Sequence, residues 1–141
     1  MAFDTKNIIN GTYGEAWIND EYVDNVKGVQ GKVEFNYEDV PRVRKLMAGK
    51  KMTGAVGNGS LRTYKSNSGL AKYMIKQLKE GKQFECTIIS KLDDPDAHGA
   101  ERVAFYGVTF NDLTLADWEL ATLGEIEAPF TFTDCEYLDM I

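Results

Sequence analysis

Between residues 29 and 38 apolar and polar side chains alternate. Val29, Val33, Phe35 and Tyr37 fall on one side, and Gln30, Lys32, Glu34, Asn36 and Glu38 on the other, with Gly31 in the apolar row. A period of two marks a strand that buries one face only. The same period returns at 125–133, where Ile126, Ala128, Phe130 and Phe132 alternate with Glu125, Glu127, Pro129, Thr131 and Thr133. Pro129 has no N–H to give a ladder, which places it at an edge or a bulge. Residues 52–65 predict a strand interrupted at Gly57-Asn58-Gly59 by a bulge or sharp bend. Residues 84–92 and 101–110 predict two more strands. Residues 15–18 and 21–23 flank Asn19-Asp20, two residues suited to a tight turn with positive φ.

One helix interrupts this β pattern. Ser68 is placed to cap it, Leu70, Tyr73, Met74 and Leu78 form its apolar stripe, and Gly81 closes it. The stripe is assigned to the core, with Lys72, Lys76 and Lys79 outside. Six or more strands and a single helix predict a mainly β, antiparallel sandwich or barrel with one packed helix. All 141 residues fit one domain, with 1–12 as a flexible arm and 39–51 as an extended basic loop bracketed by Pro41 and Gly49.

Charge changes this picture, because it is sorted along the chain. From Asp112 onward there are eight acidic residues and no Lys or Arg, while 41–52 carries five cations (Arg42, Arg44, Lys45, Lys50, Lys51) and no acid. Unlike ends can attract copies head to tail, a heterologous contact that builds rings or filaments. The net charge of −6 excludes a nucleic-acid clamp, which needs a basic face. A composition of 43% hydrophobic and 11% aromatic residues excludes disorder.

Catalytic chemistry finds little footing. His98 is the lone histidine, in a polar loop without a nucleophile motif beside it. Asp93, Asp94 and Asp96 could ligate a hard cation, but the stretch lacks the glycine and closing glutamate of a calcium loop. The glycines at 54, 57 and 59 precede Leu-Arg-Thr-Tyr and lack the Gly-Lys-Ser/Thr of a phosphate loop. Cys86 and Cys135 sit in apolar, strand-like runs and predict buried thiols, with no disulfide or metal pair. No leader pattern or apolar run of 18 residues is present, so synthesis in the cytosol without a membrane anchor is the expectation.

Several stretches together carry a family resemblance. They are Leu92-Asp93-Asp94-Pro95-Asp96-Ala97-His98-Gly99 with its continuation Ala100-Glu101-Arg102-Val103, then Asp112-Leu113-Thr114-Leu115-Ala116-Asp117-Trp118-Glu119-Leu120, and then the run from Gly124 to Asp134. Gly11-Thr12-Tyr13-Gly14-Glu15 and Lys32-Val33-Glu34-Phe35 before Glu38-Asp39-Val40 fit as well. Nearly the whole chain thus resembles the tail tube proteins of contractile-tailed phages, in the form found in PBSX-type prophages. The resemblance implies a structural, non-enzymatic subunit of stacked hexameric rings without a cofactor. It implies a contractile sheath around the tube, baseplate and tail terminator proteins at its ends, a tape-measure protein in the lumen during assembly, and DNA only as passing cargo. Such a subunit belongs to a virion or phage-tail-like particle put together in the bacterial cytoplasm.

Within that frame Arg42, Arg44, Lys45, Leu46, Met47, Lys50 and Lys51 are the candidates for contact between rings. Lys32, Glu34, Asn36, Glu38, Glu125, Glu127, Thr131 and Thr133 are the candidates for a net-acidic lumen wall. The alternative is a small β-barrel that binds a ligand or peptide in an aromatic interior. A metal-dependent hydrolase on Asp93, Asp94, Asp96 and His98 is a distant third.

Overall fold

The computed structural model describes residues 3–66 and 68–141; the first two residues of the expected arm, Met1 and Ala2, lie outside them. After two single 3-10 turns (Thr5–Asn7 and Gly11–Tyr13) come β1 (Gly14–Ile18), β2 (Glu21–Tyr22), β3 (Val26–Arg42) and β4 (Lys45–Tyr64). The helix α1 (Gly69–Lys79) follows, then β5 (Cys86–Leu92), β6 (Glu101–Phe110), β7 (Glu125–Phe132) and β8 (Asp134–Asp139). Every pairing is antiparallel, in the order β2-β1-β5-β6-β7-β4-β3, with β8 also on β6.

β6 joins the two halves of this rolled sheet. Its first part pairs with β5 and β8, and its last residues, Thr109 and Phe110, pair with Thr131 and Phe130 of β7. The change of partner occurs beside Gly107, whose φ of +61° is a conformation an L-residue rarely adopts. Pro129 accepts from the Asn111 N–H just past the end of the β6–β7 ladder. Its missing N–H points to the same side, where no strand remains to need it.

The core lies between the halves. Leu61, Cys86, Ile88, Phe105, Val108, Phe130 and Phe132 are buried and in mutual contact. Phe105 sets its ring, tilted, 4.9 Å from Phe132 and 6.0 Å from Phe130. A Cβ on Gly31 would lie 2.4 Å from Phe105 Cζ, so glycine in the apolar row of β3 lets that ring press on the backbone. Gly57 and Gly59 leave equivalent room for Phe132 and Phe130. The expected interruption at these two glycines is therefore absent: β4 runs through them, and its ladder with β3 slips instead between Asn36 and Tyr37.

Four further expectations are corrected. Residues 39–51 are no open loop, because Asp39↔Lys50, Val40↔Gly49 and Arg42↔Lys45 pair across a tight turn at Val43 and Arg44. The helix is closed at Gly81 (φ +71°) by the bonds Gly81 N–H to Leu78 and Lys82 N–H to Gln77, but it buries no residue. Tyr73 of its stripe meets Phe84, in the connection before β5, edge-on at 5.5 Å, while Leu70 and Leu78 are surface rather than core. Cys86 is buried as expected, whereas Cys135 is exposed on β8, which pairs with β6 alone. β8 itself was not among the expected strands. Its Cys135 and Tyr137 alternate with Asp134 and Glu136, but three acidic residues in six obscure the period.

Candidate assembly surfaces

The molecule exposes 10504 Å². A monomeric protein of this mass exposes ~7,300 Å², and a standard interface buries ~800 Å² on each partner. The surplus of roughly 3,000 Å² thus equals about four standard interface sides.

Much of that surplus is the β3–β4 hairpin. β7 covers β4 only from Gly57 to Tyr64, so residues 33–56 project as a two-stranded ribbon. Residues opposite one another share a face. The inner face therefore begins in the core with Leu61 opposite Val29, passes Gly59 opposite Gly31, and continues outward as Val33, then Phe35 opposite Ala55, then Tyr37 opposite Met52. The Phe35 and Tyr37 rings stand 6.4 Å apart, and both are more than half exposed. A stripe patterned for a core thus runs on beyond the core.

The opposite face of the same sheet collects the polar candidates. Lys32, Glu34, Asn36 and Glu38 from β3 lie on it with Glu125, Glu127 and Thr131 from β7. Thr131 also shares a hydrogen bond of 2.9 Å with Thr109. Thr133 departs from the group: it sits in the break between β7 and β8, where its N–H donates to the Tyr106 carbonyl. Three cations join this face: Lys51, expected at a ring contact and found opposite Glu38, and two not singled out in the sequence, Arg62 opposite Glu127 and Lys27, 2.5 Å from Glu125. The Glu125 carboxylate holds the Lys27 ammonium above its usual range. With these three cations the formal charge of the charged side chains on the face rises from −3 to zero. The face is mixed, not acidic.

All seven expected contact residues between 42 and 51 lie on the hairpin, in unequal roles. Arg42 donates through Nη2 to the Met47 carbonyl at 3.0 Å, and Lys50 pairs with Asp39. Those two brace the hairpin itself. Arg44 holds the turn at φ +62°, and Lys45, Leu46 and Met47 present themselves outward, Leu46 fully exposed.

Other surfaces lay outside the sequence reading. The β6–β7 connection displays Leu115, Trp118, Leu120 and Leu123 to solvent. Beneath α1 a groove of 630 Å³ opens, lined by Leu61, Phe84 and Phe110 with Tyr73 on the helix side, and edged by Glu21, Asp24 and Asp112. The turn before it, at Asn19 (φ 48°) and Asp20 (φ 69°), has the positive φ expected of two such residues.

The loop that carries Asp93, Asp94 and Asp96 is a tie. Asp94 is buried, and its Oδ2 accepts from the Asn10 N–H at 2.8 Å while Oδ1 accepts from the Asp96 N–H at 2.9 Å. This ties the end of the N-terminal segment to the 93–99 loop. Among the described residues no group of three or more His, Cys, Asp or Glu is placed to hold a metal ion. No helix among them is long and apolar enough to cross a membrane.

Residues 1–139 match the family described as phage tail tube protein. The chain belongs to that family. It is 33% identical to phage-like element PBSX protein XkdM of Bacillus subtilis (strain 168), over 136 residues that make up 95% of this chain and 92% of that one. Its fold is similar to a chain of the PVC extracellular contractile injection system, in the sheath–tube complex in the extended state. There the TM-score is 0.73 at 12% identity, covering 99% of this chain and 100% of that one. It is also similar to a chain in the tube-terminating cap of the anti-feeding prophage, with a TM-score of 0.75 at 12% identity over 99% of this chain and 95% of that one. The protein is a structural subunit of a tail tube. An uncovered, core-patterned ribbon is what such a subunit would carry into an assembly.

Proposed function

We propose that this tail tube subunit closes into hexameric rings that stack into a conduit, with the β3–β4 hairpin as the element that makes the stack. The observation that carries the reading is the inner stripe Val33–Phe35–Tyr37 with Met52, built like a core and left uncovered in a single copy. Neighbouring subunits would cover it, pairing sheet edges and removing them from solvent. Residues 1–12 would join these contacts as an arm, the whole chain acting as one tube domain.

The mixed face of Lys32, Glu34, Asn36, Glu38, Glu125, Glu127 and Thr131 would line the lumen. A face whose charges cancel holds no polyanion, so DNA would slide past without adhering. A tape-measure protein would occupy the same space during assembly. A contractile sheath would surround the tube, with baseplate and terminator proteins at its ends, all put together in the host cytoplasm. Arg44 and Lys45 are the tip cations to test, because Arg42 and Lys50 are engaged within the hairpin.

Negative-stain microscopy of the concentrated protein tests this. Hollow rods with six-fold end views are the expected result. A monodisperse monomer at every concentration and salt would overturn it and favour a ligand-binding barrel.

A further inference from the structure

We propose that the hairpin tip of one copy seats in the groove beneath α1 of a second copy. Leu46 and Met47 enter the apolar floor, and Arg44 and Lys45 meet the acidic rim. The proposal deepens the stacking reading and rests on it.

The two surfaces match in chemistry. The groove offers an apolar floor of Leu61, Phe84 and Phe110, with Tyr73 of α1 above it, within 630 Å³, a size that accepts several side chains. Its rim holds Glu21, Asp24 and Asp112 against one cation, Lys65, whose Nζ donates to Ser68 Oγ at 2.9 Å. The tip offers the reverse, the exposed apolar side chains Val43, Leu46 and Met47 among Arg42, Arg44 and Lys45, with no acid from 40 to 52. Nothing in its own copy packs on Leu46, which is fully exposed.

They also match in position. β4 begins at the tip with Lys45 and Leu46 and ends at the groove with Thr63 and Tyr64, which line it. Eighteen residues of strand at ~3.3 Å each separate the two by up to ~60 Å. One copy cannot close that contact on itself. Made between copies, it joins unlike ends and repeats without limit along one axis. A groove half-roofed by a helix that buries nothing also leaves the roof able to adjust to an incoming side chain.

Cross-linking tests the placement. In a Cys135→Ser background, which removes the exposed thiol, Leu46→Cys and Leu70→Cys are made in separate chains, with Leu70 at the groove lip. Equal amounts are co-assembled and mildly oxidised. The expected result is a disulfide dimer of one chain of each kind, approaching the one half of the material that random mixing permits, and little in either alone. Tubes that form without this dimer overturn the docking and leave the tube reading intact. Absence of tubes from the unsubstituted protein overturns both. A charge exchange reads the same contact without sulfur. Arg44→Glu or Asp112→Arg alone should raise the critical concentration for assembly at least tenfold, and the pair should return it to within threefold of the original. Failure of the pair to recover overturns the docking.

Discussion

Replacing Phe35 and Tyr37 together by serine separates folding from assembly. The two side chains are 55% and 56% exposed in a single copy. An aromatic side chain buries ~200 Å² when fully covered, so each has about 100 Å² left to hide. At ~25 cal/mol per Å² this corresponds to ~2.5 kcal/mol apiece, or ~5 kcal/mol for the pair, when neighbours cover them completely. Ordering of the ribbon and desolvation of its edges reduce that, so a loss of ~3 kcal/mol per added subunit is a cautious figure. Such a loss raises the critical concentration by ~100-fold, since ~1.4 kcal/mol is tenfold. The isolated subunit has little to lose, because surface substitutions cost within ~0.5 kcal/mol each and ~1 kcal/mol moves Tm by only ~2–4 °C. Pelleting across a concentration series, with circular dichroism melts of the soluble fraction, reads both quantities. Rods at an unchanged critical concentration would refute the reasoning, and so would a Tm lowered by ten degrees. The first would mean that the stripe stays wet in the tube. The second would place it in the subunit core.

Three further outcomes follow from single contacts. Gly31→Ala sets a methyl group 2.4 Å from Phe105 Cζ in a ring cluster without slack, which should cost ~1–3 kcal/mol in urea unfolding. Asp94→Ala strips the acceptor from the Asn10 and Asp96 N–H groups. It should cost ~1–3 kcal/mol and hasten proteolysis within 3–12, read by mass spectrometry. Burial pushes the Cys86 thiol up to about 11 from the ordinary 9.0, so a thiol reagent at pH 8 should count one cysteine per folded chain and two after denaturation. Because that pKa is raised in the folded state, the stability tied to it is complete below pH 9 and is lost as pH climbs to 11, checked by comparing urea midpoints with those of Cys86→Ala.

Much of the fold was legible because strands with one wet face advertise themselves. The alternations at 29–38 and 125–133 and the Asn19-Asp20 turn each state a local preference that the tertiary structure keeps. What escaped was set by packing at a distance. Glycines at 57 and 59 look like a break because their reason, two phenylalanine rings, lies some seventy residues later. The basic stretch at 39–51 looked like a loop because Pro41 and Gly49 interrupt its period, yet it sits where the ladder is irregular and pairs on either side. Pairing back from the Val43-Arg44 turn in regular register would have put Lys51 on the face of Glu38, opposite Asn36, and predicted a less acidic face; the irregularity between Val40 and Arg42 moves it to Glu38 itself.

Hydrophobic period reports which side chains share a face, and nothing in it says how far the cover extends. The helix stripe and the hairpin stripe show the two consequences. Leu70, Tyr73 and Leu78 have the spacing of a core helix, but the first two lie half open over a groove and Leu78 stands in solvent. Phe35 and Tyr37 have the spacing of a core strand but stand beyond the last residue that β7 can reach. A solitary domain that kept both would expose apolar area it could bury by shortening β3 and β4 and seating α1 deeper, and ~25 cal/mol per Å² would favour doing so. Both stripes make energetic sense when the cover is another copy of the same chain. The length by which a core pattern exceeds its core is then a measure of interface, and in this tail tube subunit it runs from Val33 to the tip of the hairpin.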